Sequence, residues 1–146
     1  MQVPHDSVIV ITDGKKMLFF RNEGDSEFPN LQVERKRETA DPPDRDLKSD
    51  APGRSFSSVG SGRSAYEETD FHQLEEDRFA VETADLLRDR ALRGDFESLI
   101  VVAPPRTLGA LRKHYHKEVE RRLAGEIAKD LTGHPVAGIE KILLAH

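Results

Sequence analysis

The chain has 146 residues, a length that suits one domain burying roughly two thirds of the surface its unfolded form exposes, with no second core expected. It carries 22 basic and 27 acidic residues for a net charge of −5, with 36% hydrophobic and 34% charged residues, which excludes a globally polyanion-binding surface and leaves only a local patch for any nucleic-acid contact. Cysteine is absent, so disulfides, thiolate zinc sites and cysteine nucleophiles are excluded, in keeping with a cytoplasmic location.

Residues 1–16 have no basic leader and only a short apolar core, so neither a signal peptide nor a membrane span is expected. Within residues 7–13 the β-branched run Val8, Ile9, Val10, Ile11 predicts a strand buried on both faces, and Asp13-Gly14 supplies a turn. Residues 16–22 read as its hairpin partner. A second turn at Glu23-Gly24-Asp25 leads to residues 31–37, where Leu31, Val33 and Arg35 alternate with Gln32, Glu34 and Lys36, the pattern of an edge strand with one wet face. From 38 to 68 that pattern stops: prolines, glycines, serines and charges predict a long flexible insertion, because so little apolar surface cannot offset the entropy of ordering it. The rest of residues 1–146 reads as a single domain around this insertion.

Thr69 and Asp70 are candidate helix N-caps, with Gln73 completing a capping box. Phe79, Thr83, Leu86, Leu87 and Arg90 then recur at helical spacing, widened by Ala80, Ala84 and Ala91, and Gly94 stands where a helix ends. The stretch 95–112 organises the remainder. Its apolar run 99–103 predicts a central strand, Pro104 and Pro105 end it, and the backbone beyond opens at the carboxyl end of that strand, where open α/β sheets place ligands. Leu108, Leu111, Tyr115, Val119 and Leu123 predict a helix over 108–123, broken near residues 114–116 and ended by Gly125. A short strand flanked by Ile127 and Leu131 follows, then a helix opened by Pro135 with Val136, Ile139, Ile142 and Leu143 on one face. The order β-β-β-α-β-α-β-α implies an α/β fold: an antiparallel β-meander, then β-α units with right-handed crossovers, forming a mixed sheet with helices on its faces.

Two groups of residues are candidates for binding. Arg54 and Arg63, with Gly60 and Gly62 permitting close backbone approach, could contact phosphate; the alternative is a solvated loop. Arg106, Arg112, Lys113, Lys117, Arg121 and Arg122 lie in one short stretch with His114 and His116, opposed there by Glu118 and Glu120, and Thr107 offers a hydroxyl and backbone N–H at the helix start. The alternative is a solvated charged face. His114 and His116 point in different directions on a helix and make no metal site, and no phosphate-loop glycine pattern or serine-hydrolase elbow is present. Neither a metal nor a cofactor is expected, and oligomeric state is left open.

The opening VIVITDGKKMLFF, Phe79-Ala80, LIVVAPPRTLGALR and Lys129-Asp130-Leu131-Thr132 resemble the bacterial family of proteins required for attachment to host cells, over essentially the whole chain. That family is similar to the middle domain of archaeal and eukaryotic peptide-chain release factors, whose glycine-rich loop carries a Gly-Gly-Gln tip that enters the ribosome. Here the corresponding stretch is Val59-Gly60-Ser61-Gly62-Arg63-Ser64, with split glycines and Arg63 at the glutamine position. The resemblance implies a basic-tipped loop on a domain suited to ribosome or RNA, without the usual release chemistry. The element order also resembles a ribonuclease H-like topology, in which a carboxylate ending the first strand helps bind metals. Asp13 occupies that place, but the fourth strand ends in Ala103-Pro104 with no second acid, so Asp13-Gly14 reads as turn chemistry. The expectation is a non-catalytic cytoplasmic binding protein for ribosome or RNA; a sensor or enzyme for a small anionic ligand near Arg106 is the alternative.

Overall fold

The computed structural model describes residues 1–38 and 65–146. Its elements are β1 (Val8–Thr12), β2 (Lys16–Asn22), β3 (Leu31–Glu38), α1 (Ala65–Leu92), β4 (Leu99–Ala103), α2 (Pro105–Arg112), α3 (Lys117–Arg122), β5 (Leu123–Ala128) and α4 (Val136–Ala145). The five strands form one mixed sheet in the order β3-β2-β1-β4-β5. The β1–β2 and β2–β3 pairs are antiparallel, and β1–β4 and β4–β5 are parallel. The two unbroken apolar runs thus lie side by side at the centre, Val8 opposite Leu99 and Val10 opposite Val101.

A strand covered on both faces needs apolar residues at every position, and β1 and β4 show it. Val8, Val10, Leu99, Val101 and Ala103 pack with Phe79, Leu87, Leu108, Leu111 and Val119 from α1, α2 and α3. Ile9, Ile11, Ile100 and Val102 pack on the other side with Ile139 and Leu143 from α4. The predicted α1 stripe is the buried one, down to its polar members: Thr83 is fully buried and donates its hydroxyl to the Phe79 carbonyl at 2.8 Å, and Arg90 is 7% exposed.

Four local expectations are corrected. First, α1 begins at Ala65, so Thr69 and Asp70 lie inside the helix rather than capping it; Ala65, Glu67 and Glu68 are strong helix formers and extend it past the candidate caps. The predicted insertion at 38–68 is correspondingly shorter, with Glu38 in β3 and 65–68 in α1, and its remainder lies outside the described residues. Second, the helix predicted over 108–123 begins at Pro105 and ends at Arg122, and its expected break near 114–116 separates it into two helices. His116 has extended backbone, and its Nδ1 accepts from the Glu118 N–H at 3.0 Å, which makes it the N-cap of α3. Third, the last strand is 123–128 rather than a segment between Ile127 and Leu131. Fourth, Gly125 ends no helix but pairs with Ile100 inside that strand. A Cβ there would come within 2.8 Å of the end of the Met1 side chain, a flexible neighbour that can give way.

Candidate nucleic-acid interface

Three loops meet at the carboxyl edge of the parallel strands. After β1, Asp13 Oδ1 accepts from the backbone N–H groups of Lys15 and Lys16 at 2.8 and 2.9 Å, the turn chemistry expected of it. Gly14 follows at φ +94°, and a Cβ on it would lie 3.3 Å from Thr107 Oγ1 in the first turn of α2. After β5, Thr132 donates its hydroxyl to Asp130 at 2.6 Å and sits 3.4 Å from Asp13 Oδ2. Hydrogen bonds from the Thr132 hydroxyl and backbone hold Asp130 below its ordinary range. Among the described residues, no group of three or more His, Asp or Glu side chains is placed to hold a metal ion.

The predicted basic residues divide by what already engages them. Arg106 lies in α2 rather than in a free loop, and its Nε is 3.5 Å from Glu76 of α1. Arg112 donates through Nε and Nη2 to Glu126 Oε1 at 3.0 and 2.7 Å. Arg122 donates to Glu118 at 2.7 Å and to the Phe96 carbonyl at 3.0 Å, tying α3 to the loop before β4. These three hold the fold together as much as they present charge. Arg121 shares the Glu118 carboxylate at 2.7 Å yet keeps 69% of its side chain exposed. The hydrogen bond from Arg122, with Arg121 beside it, holds Glu118 below the usual carboxylate range. Lys113 and Lys117 are exposed at the two ends of the break between α2 and α3. The predicted cations that the described contacts leave untied to another element are therefore Lys113, Lys117 and Arg121, on either side of the turn at 113–116. Arg54, Gly60, Gly62 and Arg63 lie outside the described residues.

Two acids that set this pattern differ in legibility. Glu118 lies three and four residues before Arg121 and Arg122, a spacing that predicts helical ion pairs. Glu126 is on β5, and nothing local connects it with Arg112 or with Tyr115, whose hydroxyl donates to Glu126 Oε2 at 3.2 Å.

Burial, and then the Glu126 charge, push the Tyr115 phenol well above its ordinary value. A pKa raised by folding gives stability that is fully present below the unfolded value of about 10 and is lost as pH rises through the folded one. Tyr115→Phe is expected to cost about 1 kcal/mol at pH 8, the worth of one hydrogen bond. In urea unfolding the gap to wild type should close above about pH 10, where only the wild type gains from ionising its unfolded phenol.

No curated protein sequence matches the chain. Among solved structures it is similar to the crystal structure of archaeal translation termination factor aRF1, at 13% identity and a TM-score of 0.43, over 94% of this chain and 40% of that one. The chain thus spans less than half the length of that protein. Residues 6–143 match the family model described as bacterial archaeo-eukaryotic release factor family 12, nearly the full length, and the chain belongs to that family.

Proposed function

We propose that the protein is a non-catalytic, cytoplasmic binding protein that engages the ribosome or its RNA through Lys113, Lys117 and Arg121, with the Arg54 to Arg63 segment as a second contact. Membership of a release-factor family carries this reading. The exposed cations at the α2–α3 break support it, because phosphate contacts need positive side chains that can shed counterions. Arg63 in place of a glutamine argues for binding without peptide release. The resemblance to proteins required for attachment to host cells fits an indirect role, in which attachment follows from an intracellular binding event.

The test is co-sedimentation with ribosomes at low salt. Wild-type protein is expected in the ribosomal pellet, and the triple variant Lys113→Glu, Lys117→Glu, Arg121→Glu in the supernatant. Losing three phosphate contacts should reduce the slope of log affinity against log salt by about 2 to 3. Adding Arg63→Glu measures the second contact separately. Absence of wild-type protein from the pellet, or an unchanged slope in the triple variant, would overturn the reading.

A further inference from the structure

A surface groove of about 500 Å³ runs between α1 and the end of α2, apart from the carboxyl edge of the sheet. On α1 it is lined by Leu74 and Val81, seven residues and two helical turns apart and so on one face. That face is not the one α1 buries: Leu74 is 61% exposed and Val81 37%. Ala110 of α2 completes the apolar floor. The rim carries Arg78 between the two apolar residues and Lys113, beside His114, on the opposite bank, against the single acid Asp77. Arg78 reaches Glu75 at 3.2 Å but leaves 68% of its side chain in water.

We propose that this groove docks a short segment of a partner protein that presents an aliphatic side chain flanked by carboxylates. The apolar floor takes up the aliphatic group, and the Arg78 guanidinium and the Lys113 amine select for acidic neighbours. Size agrees with this occupant. Two helical turns span roughly 10 Å, the reach of three extended residues. RNA fits the groove less well: no Phe, Tyr or Trp lines it and the ring of His114 alone is offered for stacking a base, while an apolar floor does nothing for a phosphate. The groove shares Lys113 with the surface proposed for the ribosome, so the variants that separate the two readings are at Arg78 and Val81, which lie outside that surface.

The experiment uses the full chain and a fluorescein-labelled peptide of alternating leucine and glutamate, with a leucine–lysine peptide and a uridine oligonucleotide as comparisons. Anisotropy should report saturable binding of the leucine–glutamate peptide and none of the leucine–lysine peptide. Val81→Asp and, separately, Arg78→Glu should each weaken it by about tenfold, the scale of losing one central contact, with thermal melting like that of wild type. Equal binding of the two peptides, competition by the oligonucleotide that Val81→Asp does not alter, or no binding of the acidic peptide would each overturn the proposal. So would self-association in sedimentation that Val81→Asp abolishes, which would assign the groove to a second copy of the chain.

Discussion

Replacing Asn22 by Ala is expected to lower stability by roughly 3 kcal/mol and the melting temperature by roughly 10 °C. Asn22 ends β2, is fully buried and uses both ends of its amide. Nδ2 donates to the carbonyls of Val3 at 2.9 Å, Pro4 at 3.2 Å and Asp25 at 3.3 Å, while Oδ1 accepts from the N–H groups of Gly24 and Asn30 at 2.9 and 2.8 Å. One side chain thus ties the segment before β1 to the β2–β3 turn. Truncation strands several backbone groups away from water, each at a cost of about 1–3 kcal/mol before water enters the gap. The turn has little freedom to adjust, because a Cβ on Gly24 would collide with the Phe28 carbonyl. Asn22→Asp separates the two halves of the effect. It keeps the acceptor but turns a charge toward three carbonyls, so its thermal stability should improve on acidification, when the carboxyl group can donate again. If Asn22→Ala melts within about 2 °C of wild type, this network contributes little.

The second large effect centres on Arg90. Its guanidinium donates to Glu34 Oε1 at 2.7 Å, lies 3.6 Å from Asp95, and covers the rings of Phe19 and Phe96 at 5.1 and 5.9 Å from their centroids. Glu34 also accepts from Arg21 at 2.6 Å. The β2–β3 register passes from Phe19–Arg35 to Phe20–Val33, which makes Glu34 the extra residue of a β-bulge. Its carboxylate joins β3, β2 and α1. Burial pushes Glu34 up, but the hydrogen bonds and charges of Arg21 and Arg90 outweigh it and hold the carboxyl below its ordinary value. Arg90→Met keeps the contact with the rings and removes the charge; a loss of about 2 kcal/mol is expected, below the figure for a fully buried pair because Glu34 is partly exposed and retains Arg21. Because folding depresses the Glu34 pKa, its contribution is present above the unfolded carboxylate value and is lost as pH falls through the folded one. Wild-type stability should therefore decline below about pH 4.5 more steeply than that of Arg90→Met in urea unfolding. Parallel curves would remove Glu34 as the cause.

Much of the fold was legible because its strongest signals are local. Residues 8–11 and 99–103 are apolar without interruption, which leaves a strand no wet face, and both became central strands. The spacing from Phe79 to Ala91 marks one helical face, and that face is buried even where it carries threonine and arginine. The alternation in residues 31–37 placed an edge strand correctly, since one side of β3 is unpaired, but not its inner face, where Leu31 is buried and Val33 is exposed. The basic stretch from Arg106 to Arg122 was legible as composition, and the i, i+4 spacing of Glu118 and Arg122 announced part of its neutralisation.

The sequence by itself determined the type of every element but the last strand, the two-faced burial of β1 and β4, and a cation-rich segment beyond the central strand. All of these depend on neighbours a few residues apart, where backbone geometry decides which side chains share a face. The tertiary structure decided that Leu-Ala-Gly-Glu-Ile-Ala is a strand, because pairing with β4 overrides residues that otherwise suit a helix. It also decided which cations are tied down, since Glu76 and Glu126 reach Arg106 and Arg112 across the fold. Finally, it left Leu74 and Val81 exposed on the face of α1 that the core does not cover, with Ala110, Lys113 and His114 across the groove from them.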